Sequence, residues 1–173
     1  MSKTKSTAKA NFEKTPLKAA TKVANKLIKK LEAIGSKSFI AGSIRRGKEM
    51  IGDVDIVVIP DNIDTFLENV KEVVEYEYGG KKKVFGMFEG RPINLFLTTN
   101  DSFGACIYQC TGPAMYNVFM RSMAKKKGFK LNEYGLFNRD TEEKIAGPTE
   151  QSIFEAMNMN YLDPNRRKSP IKR

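Results

Sequence analysis

Along residues 17–34 the apolar positions Leu17, Ala20, Ala24, Leu27, Leu31 and Ile34 fall three or four apart, with Lys18, Lys22, Lys26, Lys29 and Lys30 between them. That spacing lines one face of an amphipathic helix. Thr15 and Pro16 read as its N-cap and first-turn pair, and Gly35 as its stop. The period then shortens. "SFIAGS" and "DVDIVVI" read as strands around a loop rich in Gly and Arg. Residues 61–76 return to helical register through Ile63, Phe66, Leu67, Val70 and Val74, behind the capping pair Asp61 and Asn62. "KKKVFGMFEGRPINLFLT" predicts a hairpin turning at Glu89-Gly90.

Downstream, "DSFGACIYQC" predicts a short apolar helix ending at "TGP". Residues 113–128 predict a second helix, with Pro113 at its start and Gly128 just past its end. "FKLNEYGLF" and "EKIAG" read as short strands, and "TEQSIFEAMNM" as a last helix. No internal repeat is visible. The mixed order predicts an α+β (α/β mixed) fold with a small sheet backed by helices.

Charge adds something the pattern does not. The chain of 173 residues carries a net charge of +10, and the excess sits at its ends. Residues 1–30 hold nine lysines against one acid, Glu13, and "NRRKSPIKR" adds five positive charges and no negative one. Basic ends of this kind read as contacts for a polyanion, with solvated tails as the plainer alternative. Residues 1–14 are polar and Lys-rich, which predicts disorder. There is no histidine, and Cys106 and Cys110 are the only cysteines, which argues against a disulfide framework, a structural zinc site or a His-dependent triad. No segment is apolar over the roughly 18 residues of a membrane span, so an intracellular, cytoplasmic protein with no membrane partner is expected.

The chemistry concentrates in "GSIRRGKEMIGDVDIVV". Asp53 and Asp55 lie two apart on a strand and so share a face. Adjacent carboxylates raise each other's pKa unless a hard cation neutralises them, and oxygen ligands without His or Cys favour Mg²⁺ or Mn²⁺. Upstream, Gly42 and Ser43 offer backbone N–H groups and a hydroxyl, while Arg45 and Arg46 offer forks that grip phosphate oxygens. Metal-binding carboxylates beside an anion cradle suit nucleotidyl transfer from a triphosphate.

This stretch resembles the signature of the nucleotidyltransferase superfamily, in the form used by family X DNA polymerases such as DNA polymerase beta. "TGPAMYNVFMR", "KKKGFKLNEYGLF", Gly147-Pro148 and "QSIFEAMNMNYLDPNRR" follow in that family's order, so the likeness covers about residues 17–167. It implies a nucleotidyltransferase palm with its N-terminal helix over 15–105 and a small C-terminal α+β subdomain, binding nucleotide and template, over 106–167. Basic tails would flank them at 1–14 and 168–173. Asp53 and Asp55 would bind two Mg²⁺ ions, with Mn²⁺ able to substitute. Ser43 and Arg46 would hold the β and γ phosphates beside Gly42, with the Gly52 amide nearby. Gly112 would lie against the sugar and Asn117 against the base. Arg121 would meet the templating strand, supported by Tyr134.

Two positions depart from the family pattern. Gln109 and Cys110 stand where the family has a steric pair of aromatics, which puts discrimination against ribonucleotides in doubt. Asn94 stands where the family has the third catalytic and metal-binding aspartate. Either Asn94 is an engineered substitution that allows binding without turnover, or the natural protein has given up strong catalysis; the intact Ser43 and Arg46 favour the first. The chain also resembles the compact viral form of the family, which lacks the lyase domain and the helix-hairpin-helix thumb that larger members carry ahead of the signature. Its grip on DNA would then come from Lys18, Lys22 and Lys26 on the first helix and from Arg166 and Arg167 near the C-terminus.

The resemblance therefore implies a monomeric, template-directed, gap-filling DNA polymerase acting on gapped or primer–template DNA and dNTP, impaired by Asn94. A template-independent nucleotidyltransferase and a non-catalytic DNA-binding module are the alternatives.

Overall fold

The computed structural model describes residues 12–168. The expected basic tails fall largely outside them, at 1–11 and 169–173. Thr15–Pro16 (β1) leads into a long helix, Leu17–Ala33 (α1). Next come Ser36–Ile40 (β2), the single turn Gly42–Arg45 (α2), Met50–Ile51 (β3) and Val54–Pro60 (β4). A helix Ile63–Asn69 (α3) precedes three strands, Glu75–Gly79 (β5), Lys83–Phe88 (β6) and Arg91–Leu97 (β7). The C-terminal part holds Phe103–Thr111 (α4), Ala114–Lys126 (α5), Phe129–Asn132 (β8), Gly135–Asn138 (β9), Lys144–Ala146 (β10) and Glu150–Ala156 (α6).

The main sheet has five strands in the order β2-β4-β7-β6-β5. Only β4 and β7 run parallel, and that pairing sets Asp55 directly beside Asn94. One face is apolar: Val54, Ile56, Val58, Val84, Phe88, Ile93 and Leu95 pack with Ala20, Ala24, Leu27 and Leu31 of α1 and with Phe66 of α3. A second cluster joins Tyr108, Tyr116, Met120, Leu136, Ile153 and Phe154 of the C-terminal elements. A third, smaller one sets Ala41 and Val57 against Cys106 and Ile107, so α4 spans from the sheet to the C-terminal core. The fold is the mixed α+β arrangement expected from the sequence.

The hairpin turns at Glu89 (φ 48°) and Gly90 (φ 72°), the positive pair that a two-residue turn between twisted strands requires. Asn62 caps α3 as expected, accepting from the Thr65 N–H at 3.0 Å.

Three expectations need correction. Thr15 does not cap α1: Thr15 and Pro16 pair with Ile51 and Met50 as β1–β3, and the helix begins at Leu17. Residues 61–76 are not one helix, because α3 ends at Asn69, a 3₁₀ turn covers Val70–Glu72, and "EYEYG" becomes the edge strand β5. "FKLNEYGLF" is not one strand but the hairpin β8–β9, turning at Glu133-Tyr134 where Asn132 Oδ1 accepts from the Tyr134 N–H at 2.9 Å.

Candidate active site

The β2–α2 junction builds the first wall of the site. Gly42 has φ +58°, and a Cβ there would fall inside the Asp55 carboxylate, so only glycine lets the chain pass this close. As the first turn of α2, Gly42, Ser43 and Ile44 carry backbone N–H groups without intrahelical acceptors.

Asp53 precedes β4 and Asp55 lies on it, and both face the side of the sheet away from α1. The Asn94 Nδ2 donates to Asp55 Oδ1 at 2.9 Å and to Asp53 Oδ2 at 3.2 Å. Burial, and then the Asp53 charge, push the Asp55 carboxyl up to about 6; the Asn94 hydrogen bond opposes them. The donor set is two carboxylates and one amide, with no His or Cys, which fits a hard divalent cation. Asn94 is neutral, and among the described residues no three His, Cys, Asp or Glu side chains gather at one point.

These groups open on a cavity of about 610 Å³ whose lining includes Gly42, Ser43, Arg46, Asp53, Asp55, Gly112, Asn117 and Tyr134. Arg46 donates to the Thr111 carbonyl, while its buried Nε has no partner among the described residues and burial lowers its pKa. Asn117 donates to the Gln109 carbonyl at 2.8 Å, and its buried Oδ1 has no partner among the described residues. Both residues line the cavity, while the two orphaned atoms themselves are buried. Tyr134 is exposed on the β8–β9 turn, with the Lys82 ammonium 5.5 Å from its ring centre.

Other expected residues lie apart. Gly52 sits in the β3–β4 turn and Arg121 on the exposed side of α5, neither among the cavity's lining residues. Lys18, Lys22 and Arg166 are exposed, and Lys26 is exposed but paired with Glu89. Arg167 must be corrected. It is 3% exposed, donates to Glu150 at 2.8 Å and to the Leu162 carbonyl at 2.9 Å, and lies against the rings of Tyr108, Phe154 and Tyr161. A guanidinium so enclosed has no surface left for DNA. Arg45 is likewise committed, donating to Glu150 at 2.6 and 2.9 Å and to Thr111 at 2.8 Å, so it is no phosphate fork.

Lys82, Lys83 and Glu133 also line the cavity and were missed. The signal was available for one of them. Lys83 pairs with Phe96, and Phe85 with Asn94, so the alternation of β6 carries Lys83 to the same face as the acids.

Residues 106–168 match the family model described as DNA polymerase beta thumb. The chain is 28% identical over 144 residues to the "Repair DNA polymerase X" of African swine fever virus (isolate Tick/South Africa/Pretoriuskop Pr4/1996), covering 76% of this chain and 82% of that protein. It is 27% identical over 158 residues to DNA polymerase lambda of Rattus norvegicus, covering 73% of this chain and 28% of that one. In fold it resembles Leishmania infantum polymerase beta, solved as a ternary P/T complex, with a TM-score of 0.78 at 24% identity over 90% of this chain and 77% of that one. The thumb model and the relatives support a compact polymerase of family X, the DNA polymerase beta-like nucleotidyltransferases, and the fold is that of polymerase beta.

Proposed function

We propose that this family X repair polymerase adds dNMP, directed by a template, to the primer 3′-hydroxyl of gapped or primer–template DNA, acting as a cytoplasmic monomer. One observation carries the reading: Asp53 and Asp55 share a cavity wall with Gly42, Ser43 and Arg46. Asp53 and Asp55, with Asn94 beside them, would hold two Mg²⁺ ions or Mn²⁺ in their place. Bound there, such ions would supply charge neutralisation at the triphosphate and acidify the primer hydroxyl.

The protein's own groups divide the remaining work. Ser43 and Arg46 bind the β and γ phosphates, with the α2 amides and Gly52 close behind. Gly112, on the cavity wall, lies against the sugar. Asn117 meets the base from the cavity wall. Arg121 and Tyr134 support the template strand, and Lys18, Lys22 and Arg166 supply affinity that does not depend on sequence. Lys26 adds to it when it leaves Glu89.

Asn94 would make the chain a weak catalyst, because a neutral amide would give a bound cation less charge than a carboxylate does. The same amide favours a second reading. By satisfying Asp53 and Asp55 it stabilises a site that binds nucleotide and DNA without turnover. Primer extension on a one-nucleotide gap, with Mg²⁺ and then Mn²⁺, separates the two. Template-matched incorporation, absent in Asp53→Ala, supports the polymerase. Binding of gapped DNA with no incorporation under either ion supports the binding module. Incorporation indifferent to the template base points instead to a template-independent transferase.

A further inference from the structure

The cavity wall holds a pair of groups to which the reading above gives no part. Cys106 and Cys110 sit one turn apart on α4, and their Sγ atoms are 3.9 Å apart. Both are free thiols lining the cavity, Cys106 buried and Cys110 half-buried. A spacing of four residues in a helix puts the Cα atoms about 6 Å apart, inside the span of a disulfide. Cys110 lies in the last turn of α4, just before Gly112 at φ +65°, where the helix ends and its backbone can tighten. The hydrogen bond with Cys110 holds the Cys106 thiol below the ordinary value against the opposing effect of burial, which favours Cys106 as the attacking thiolate.

We propose that Cys106 and Cys110 form a peroxide-responsive dithiol pair, and that closing it into a disulfide weakens nucleotide binding in the cavity beside it. The Cys106 thiolate attacks one oxygen of hydrogen peroxide, breaking the O–O bond; it becomes the sulfenic acid and hydroxide leaves, to be protonated to water. The Cys110 thiol then attacks that sulfur, forms the S–S bond and displaces the sulfenic oxygen as a second water. Two thiols supply two electrons and two protons, and one peroxide becomes two waters.

Nucleotide binding feels the closure through the neighbours of Cys110. Thr111 follows it, and accepts from Arg46 at its carbonyl and from Arg45 at its hydroxyl. Gln109 precedes it and accepts from Asn117. Drawing Cys110 toward Cys106 moves the turn that holds both Arg46 and Asn117. This consequence rests on the proposed nucleotide site, whereas formation of the bridge does not.

The test treats the reduced full chain with hydrogen peroxide, blocks remaining thiols with iodoacetamide and measures peptide masses. Mg²⁺–dNTP binding is titrated calorimetrically before oxidation, after it, and after dithiothreitol. The expected result is a peptide containing both cysteines that is lighter by about 2 Da and carries no alkyl group. Triphosphate affinity should fall by roughly fivefold or more and return on reduction. In Cys106→Ser and Cys110→Ser no bridge forms, and peroxide no longer alters binding. Two alkylated cysteines after peroxide, or separate sulfinic acids, would overturn the pair. A bridged chain with unchanged affinity would overturn the gate while leaving the nucleotide site standing. A reduced chain that binds no triphosphate would remove both gate and nucleotide site, and the mass shift would still decide the pair.

Discussion

The Asn94 side-chain amide donates to Asp55 at 2.9 Å across the parallel β4–β7 ladder. Its nitrogen also reaches Asp53, at 3.2 Å, so one neutral group sits between two acids. Without it, two carboxylates would face each other on a half-buried surface with only Arg46 and Lys83 to temper their charge. The amide thus makes the acid pair tolerable in the absence of a cation.

Asp53→Ala and Asp55→Ala should each abolish residual transfer and remove the part of triphosphate binding that depends on Mg²⁺. Calorimetric titration of dNTP with and without the ion measures this. If either variant retains full Mg²⁺-dependent binding, the acids do not hold the ion.

Arg46→Ala should weaken dNTP binding by about 1.5–3 kcal/mol, the scale of a charge-assisted hydrogen bond, because Arg46 lines the cavity beside Ser43 as a fixed positive charge. Affinity for gapped DNA should hardly move. Equal losses for both ligands would place Arg46 on the DNA surface instead.

Glu150 is buried between Arg45 and Arg167, so its loss strands two cations. Glu150→Gln should cost about 3–5 kcal/mol in urea unfolding. Burial pushes the Glu150 carboxyl up, but the two arginines win and hold it below the ordinary value of 4.5. A depressed folded pKa contributes stability above the unfolded pKa and loses it as pH falls through the folded one. The parent should therefore lose stability below about pH 4.3 more steeply than Glu150→Gln does. Parallel pH profiles would show that the carboxylate is not what joins α2 to α6.

Replacing Lys18 and Lys22 together by Gln should lower the salt slope of DNA binding by about two units, one per phosphate contact, without changing stability. Arg167→Gln should do the reverse, destabilising the C-terminal core and leaving the slope of the folded fraction unchanged. Fluorescence anisotropy over a salt series reads the first effect and urea unfolding the second.

The elements that could be read from the sequence are those whose signal is local. The stripe of α1 and the Glu89-Gly90 turn are written in spacing and in backbone preference, and Asp53, Asp55 and Asn94 follow from the two-residue period of strands. Three features were hidden because they depend on distant partners. β5 is an edge strand of Glu, Tyr and Gly that exists only because β6 pairs with it. Thr15 looks like a cap until β3 claims it. Arg167 lies in a basic run like any surface arginine, and only Glu150, seventeen residues earlier, together with three aromatic rings, draws it inside.

If the acid pair forms a catalytic site that Asn94 limits, single-turnover incorporation of a matched dNMP into gapped DNA should differ sharply between the parent and Asn94→Asp. The aspartate should raise the rate at least about 100-fold, on the order of 3 kcal/mol in barrier, with a much smaller change in dNTP affinity. It should also make the ion-free protein less stable, since three acids then meet where an amide now joins two, and Mg²⁺ should recover that loss. An unchanged rate with DNA binding intact would contradict the claim and leave a binding module in its place.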